Sequence, residues 1–168
     1  QQQLKRFSDA SNDIVPICVL GTYSAGKSTF INSLIGSELL PSAETPVTAK
    51  VYKISSTPHD DRASIRITFK GKDAKIQFRD YQLVVDGLTD GEELLTSIKE
   101  ALDEEKPASI IEKVRLVLEE LNDISDSEIG DLIEIEVPFS RSALDDINYK
   151  IAIFDTPGSN SSTNLQHS

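Results

Sequence analysis

An α/β fold built around a phosphate-cradling loop is what this sequence predicts, on three observations. An apolar run (Ile14, Val15, Ile17, Cys18, Val19, Leu20) leads into Gly21-Thr22-Tyr23-Ser24-Ala25-Gly26-Lys27-Ser28, and an amphipathic helical pattern (Phe30, Ile31, Leu34, Ile35) follows. Strand, glycine loop and helix in that order form the setting the pattern GxxxxGK[ST] requires. Next, the centre of the chain alternates between a period of two and a period of 3.6 residues, a hairpin followed by two helices. Last, a second apolar strand, Tyr149 to Phe154, runs directly into Asp155-Thr156-Pro157-Gly158.

The loop's spelling follows from its chemistry. Backbone N–H groups must approach phosphate oxygens closely, and side chains would block them, so Gly21 and Gly26 supply open space and unusual dihedrals. The helix beginning near Lys27 turns its unpaired N–H groups and positive dipole end toward the anion. Lys27 would neutralise the outer phosphates, and the Ser28 hydroxyl would ligate Mg²⁺. A chance match to the pattern in a chain of this size is on the order of one in a hundred. The expected phosphate contacts run through Gly21, Tyr23, Ser24, Ala25, Gly26, Lys27, Ser28 and Thr29.

Composition narrows the class. The chain has 168 residues, enough for one domain with a sizeable core. Its net charge of −11 argues against binding nucleic acid by general attraction and against a polybasic membrane patch in this segment. The single cysteine, Cys18, lies within the first apolar strand and reads as a small core residue in a reducing compartment. No apolar run approaches the length of a membrane span, and the Gln1–Gln3 start does not read as a signal peptide. A cytosolic, acidic, single α/β domain is expected.

Taken in order, Gln1 to Asn12 is polar, with Leu4 and Phe7 spaced for a short lead-in helix. The helix after the loop should stop near Gly36. Leu39 to Thr48 holds Pro41 and Pro46 among Ser and Thr and is a loop. In P-loop switch proteins a threonine of this loop completes the Mg²⁺ shell and senses the γ-phosphate; Thr45 and Thr48 are both candidates. Ala49 to Ser55 reads as a strand. Ile65, Ile67 and Phe69, then the turn Lys70-Gly71-Lys72-Asp73, then Ile76 and Phe78 spell a β-hairpin with one buried face. Glu92 to Glu104 carries Leu94, Leu95, Ile98 and Leu102 on one helical face. Ser109 to Leu121 carries Ile110, Val114, Leu118 and Leu121, and Lys106-Pro107 separates the two. Their charged faces are solvated surfaces, with a partner-binding role as the alternative. Leu132, Ile133, Ile135 and Val137 form a strand ended by Pro138. An aspartate at a strand's C-terminal end beside the loop holds Mg²⁺, usually through water, and the Gly158 N–H can meet the γ-phosphate. Beyond it, Ser159 to Ser168 is polar. With histidines only at His59 and His167, no metal cluster or Ser-His-Asp arrangement suggests itself.

These residues carry a resemblance. Gly21 to Thr29, with Ser-Ala before Gly-Lys-Ser, resembles the first GTPase motif of the dynamin superfamily. Asn32-Ser33-Leu34-Ile35-Gly36, Leu39-Leu40-Pro41 and Pro46-Val47-Thr48-Ala49 resemble that family's next segment, and Asp155-Thr156-Pro157-Gly158 its third motif. The similarity is nearest to bacterial dynamin-like GTPases and covers residues 15 to 55 and 132 to 160; residues 60 to 125 hardly share it. The resemblance implies a P-loop NTPase three-layer sandwich, incomplete here, with the β-hairpin and helical pair as an insertion at about 58–130. It implies GTP or GDP with Mg²⁺ as ligands, and Thr48 rather than Thr45 as the switch I threonine in a segment at about 41–49. Ser28, Thr48 and Asp155 would organise the metal, while Ser24, Lys27 and Thr48 would serve catalysis. Ser24 stands where dynamins help bind a charge-compensating monovalent cation. Tyr23 departs from the glutamine that orients water in eukaryotic dynamins, and Ser159 from the catalytic glutamine of Ras-like enzymes.

The guanine-reading [NT]KxD motif is absent, since the chain stops ten residues after Gly158. The expectation is an N-terminal part of a larger GTPase domain, with Ile17 to Leu20 as an open apolar edge able to pair. Homo-oligomers and peripheral membrane association, tied to membrane remodelling, would belong to the full-length protein. Two readings of other kinds remain beside it: a nucleotide-binding regulatory or scaffold module with little turnover, and a P-loop ATPase.

Overall fold

In a computed structural model, residues 14–19, 27–40, 51–125, 127–139 and 150–155 are described, with the backbone path alone for 14–19, 27 and 150–155. They form one mixed sheet flanked by helices. The elements are β1 (Ile14–Val19), α1 (Lys27–Ile35), β2 (Val51–Ser56), β3 (Arg62–Phe69) and β4 (Lys72–Arg79). After these come β5 (Gln82–Asp86), α2 (Glu93–Glu105), α3 (Ile110–Asn122), β6 (Leu132–Val137) and β7 (Lys150–Asp155).

The strand order is β1-β7-β2-β6-β3-β4-β5. β1 runs parallel to β7 and β2 parallel to β6, whereas β7 and β2 are antiparallel, as are β6 and β3. The β3–β4–β5 portion is a meander of hairpins. Its first turn is the expected Lys70-Gly71, both residues with positive φ (50° and 79°), the mirror-image turn that matches strand twist. Its second turn uses Asp80 and Tyr81, at φ 50° and 65°, without any glycine. That is why β5 escapes a sequence reading: the usual Asn-Gly or Asp-Gly signal is missing, and Leu83 and Val85 are only half-buried.

Alternation then builds the core. Ala63, Ile65, Ile67 and Phe69 of β3 are buried, as are Ile133, Ile135 and Val137 of β6 and Ala74, Ile76 and Phe78 of β4. Register lines up Ile54, Ile135, Ile65 and Ile76 as a ladder across four strands. Helix α3 packs on this face through β3, and α2 packs on α3. Of the expected apolar faces, Leu94, Leu95 and Ile98 of α2 are buried and Leu102 only partly, while Ile110, Val114, Leu118 and Leu121 of α3 are buried, with Val117 added. Each helix lies one residue later than its pattern suggests. Lys106 closes α2 in the left-handed conformation, its N–H donating to the Leu102 carbonyl. Ser109 caps α3 by accepting from the Glu112 N–H, while the Glu112 carboxylate accepts from Ala108 N–H.

Helix α1 departs from its pattern at one position. Ile31 and Ile35 are fully buried and Leu34 partly, but Phe30 is 41% exposed. Ile31 and Ile35, one turn apart, fix the centre of the buried stripe, and Phe30 lies at its margin. Gly36, at φ 82°, ends the helix where expected; its N–H and that of Ser37 both donate to the Asn32 carbonyl.

The α2–α3 pair is acidic. Burial, then the negative charges of Asp123, Glu119, Glu100 and Glu104, hold the Glu120 carboxyl above its ordinary value of 4.5. The folded chain therefore binds this proton more tightly than the unfolded one, so its contribution to stability falls as pH rises past 4.5. Glu120→Gln is expected to stabilise the protein at neutral pH by about 0.5 kcal/mol, discounted for solvent screening. Thermal melts at pH 4 and pH 7 check this, and an equal or lower midpoint for the variant at pH 7 refutes it.

Candidate functional site

The site is assembled by the ends of strands. Val19, the last residue of β1, is the register partner of Asp155, the last residue of β7, and Tyr52 of β2 is the partner of Asp155 on its other side. So one end of the sheet brings together three points of the chain. The loop 20–26 departs from β1, the segment 41–50 feeds into β2, and residues 156–158 continue from β7. Crevices outside the carboxyl ends of parallel strands, here β1 and β7, are where α/β sheets bind ligands.

Helix α1 begins at Lys27, directly after the loop, and no acidic residue lies in its first turn. Its positive dipole end, with N–H groups that have no partner within the helix, is thus uncompensated by a side-chain carboxylate of that turn, which suits a phosphate. Ser28 follows and is half-buried; Thr29 is exposed. The expected donors to a divalent ion include the Ser28 hydroxyl and the Asp155 carboxylate, hard oxygen ligands of the kind Mg²⁺ takes. Gly21, Tyr23, Ser24, Ala25, Gly26, Thr48 and Gly158 lie outside the described residues, as does the alternative threonine, Thr45.

Sequence reasoning did not find the bonds of Asn32. Its Oδ1 accepts from the Leu39 and Leu40 N–H groups at 3.0 and 2.9 Å, and its Nδ2 donates to the Leu40 carbonyl at 3.1 Å. Nor did it find Tyr52, whose hydroxyl donates to Asn122 Oδ1 at 2.9 Å and so ties β2, beside Asp155, to the end of α3. A tyrosine at the start of a half-buried strand reads as packing, and only the fold brings Asn122 to it.

Among the described residues, one concave feature lies away from this end. A groove of about 420 Å³ opens on the sheet face opposite α3, lined by Arg66, Thr68, Lys75, Asp86, Leu132 and Glu134 among others. Glu134, Arg66, Lys75 and Asp86 follow one another across four strands, two cations flanked by two carboxylates. That arrangement satisfies a solvated sheet face and shows no convergent group for a ligand. Among the described residues, no helix is long and apolar enough to cross a membrane.

Comparison with known proteins agrees with the motifs. Over 74 residues the chain is 36% identical to dynamin-like protein A of Bacillus subtilis (strain 168), a match covering 44% of this chain and 6% of that protein. Over 42 residues it is 45% identical to the clamp-binding protein CrfC of Escherichia coli (strain K12), covering 25% of this chain and 6% of that one. The stretches matched are thus a small part of these relatives' length. The pattern of the Dynamin family matches residues 17–168. A match from the first strand to the last residue takes in both nucleotide motifs, and this chain therefore belongs to the dynamin family, whose members are GTPases with a P-loop fold.

Proposed function

We propose that this chain is part of a GTPase domain that binds GTP with Mg²⁺ and hydrolyses its γ-phosphate by attack of water. The observation that supports it most is the meeting of Val19, Asp155 and Tyr52 at one sheet end, the points from which the chain runs to the phosphate loop, the third motif and the switch I segment. Residues 1–168 would form one partial domain, an incomplete three-layer sandwich. Its parts would be the phosphate loop at 21–28, switch I at about 41–49, the hairpin and helical pair as an insertion at about 58–130, and the third motif at 155–158.

In this reading the loop N–H groups from Gly21 to Gly26 and the start of α1 hold the β- and γ-phosphates, Thr29 adds to nucleotide binding, and Ser24 serves catalysis by helping to bind a charge-compensating monovalent cation. Lys27 balances charge that shifts toward the bridging oxygen as it leaves the γ-phosphorus. Mg²⁺, when bound, neutralises the phosphate oxygens. Ser28, Thr48 and Asp155 are the residues that would hold it, the last through water. The Gly158 N–H meets the γ-phosphate. Water's oxygen bonds to the γ-phosphorus, the bond to the bridging oxygen breaks, and the products are GDP and inorganic phosphate. Positioning of that water cannot fall to a glutamine at Tyr23 or Ser159, so backbone groups or a second copy would supply it.

Those same two departures favour a second reading, a nucleotide-binding regulatory or scaffold module with little turnover. Homo-oligomerisation, membrane association, membrane remodelling and a cytoplasmic location are proposals for the full-length protein. Titrating fluorescent GTP and ATP analogues into the full-length protein, with and without Mg²⁺, tests the assignment. Mg²⁺-dependent preference for GTP, with phosphate release in a turnover assay, supports the GTPase. Equal ATP affinity overturns it in favour of an ATPase, and binding without release selects the regulatory module.

A further inference from the structure

Asn32 makes contacts that a polar residue on a helix does not need for the helix itself. It lies one turn after Ser28 on α1, on the same face. Its backbone carbonyl accepts from the Gly36 and Ser37 N–H groups, and its side chain binds three backbone atoms of Leu39 and Leu40. The amide orientation is fixed by chemistry: the oxygen must face the two N–H donors and the nitrogen the carbonyl. Leu39 and Leu40 are 0% and 4% exposed, so water offers these N–H groups little replacement.

The chain is thus bound back onto the Ser28-bearing face of α1 immediately before Pro41. At the far end, the Val51 N–H donates to the Asp131 carbonyl at 2.6 Å, and β2 is seated between β7 and β6. The ten residues between Leu40 and Val51, which include Thr48, therefore start from a point set by Asn32 and finish at a point set by the sheet. We propose that Asn32 is a positioning residue for nucleotide-state recognition: by clamping Leu39 and Leu40 to α1, it fixes where the switch segment starts relative to Ser28. The proposal rests on the reading of 41–49 as switch I given above. Asn32 touches neither nucleotide nor metal in this role; it acts through the backbone it holds.

A segment whose starting point is released spends less time in the γ-phosphate-contacting arrangement, and apparent affinity falls by that fraction. GDP, lacking the γ-phosphate, does not use the arrangement. The test compares the affinities of the full-length protein for Mg²⁺ with a non-hydrolysable GTP analogue and for Mg²⁺ with GDP. Asn32→Ala is expected to lower the ratio of the two about tenfold, with GDP affinity changed less than about twofold. Asn32→Asp keeps both N–H partners but sets a carboxylate oxygen against the Leu40 carbonyl, and its ratio should fall to a value between the two. An unchanged ratio in an Asn32→Ala protein that still binds GDP overturns the proposal. If Asn32→Ala does not fold, as judged by circular dichroism, the Asp variant decides on the same criterion. A wild type that binds neither nucleotide overturns the functional reading itself and this inference with it, an outcome distinct from failure in the variants alone.

Discussion

Lys27→Ala is expected to abolish binding of GTP and GDP to the full-length protein while leaving its fold intact. Two facts separate the site from the scaffold here. Lys27 is the first residue of α1, whose first turn holds no acidic residue. The helix is held to the core instead by Ile31 and Ile35, both fully buried, and alanine is at least as good a helix former as lysine. Removing one member of a desolvated charge pair costs enough to weaken binding about a hundredfold or more. The melting transition should stay within about 0.5 kcal/mol of wild type, the range for substitutions that remove no core contact. Isothermal titration with each nucleotide, beside a thermal melt, reads both halves; nucleotide binding retained in the variant would overturn the assignment of the site.

Gly87→Ala carries the largest expected cost in stability. Gly87 follows β5 at φ 85°, a conformation that L side chains rarely adopt. An added Cβ would also collide with the backbone of β4: it would run into the Asp73 carbonyl oxygen and come within 2.8 Å of the Ala74 Cα. Neither is the free end of a side chain that can swing aside. Relief requires β5 to shift off β4, taking with it the half-buried Leu83 and Val85. About 3 kcal/mol or more is expected. Gly71→Ala makes the internal control. Gly71 has a similar φ of 79° but nothing within 4 Å of its Cβ position, so only the conformational cost of about 1 kcal/mol applies. Denaturant unfolding of both variants separates collision from conformation, and equal costs would show the collision is relieved without loss.

What the sequence made legible was local. The hairpin turn at Lys70-Gly71, the two helices and the stop at Gly36 are all written in near-neighbour spacing, and the structure holds each within a residue or so. β5 was not legible because Asp80-Tyr81 turns the chain without the expected glycine. Phe30 falls at the stripe's margin, because an apolar residue next to Ile31 suits the pattern equally well until the stripe's centre is known. The site divides in the same way. Its residue types are spelled out in order along the chain, but the adjacency of Val19, Asp155 and Tyr52 comes from strand order, on which local periodicity is silent. Asn32 stands within a motif, yet its bonds to Leu39 and Leu40 depend on how the chain turns after Gly36.

The pairing of Ile14 with Lys150 also has a consequence in time. The meander β3–β4–β5 joins near neighbours and can form as soon as it emerges from the ribosome, whereas β1 must wait for β7, well over a hundred residues later. At ordinary synthesis rates that wait is on the order of ten seconds, during which an apolar strand has no companion in the sheet. Among the described strands, the one that launches the phosphate loop is thus made first and seated last. A nascent chain would gain its sheet scaffold well before it could hold a nucleotide, and shielding of β1 would matter most in that interval.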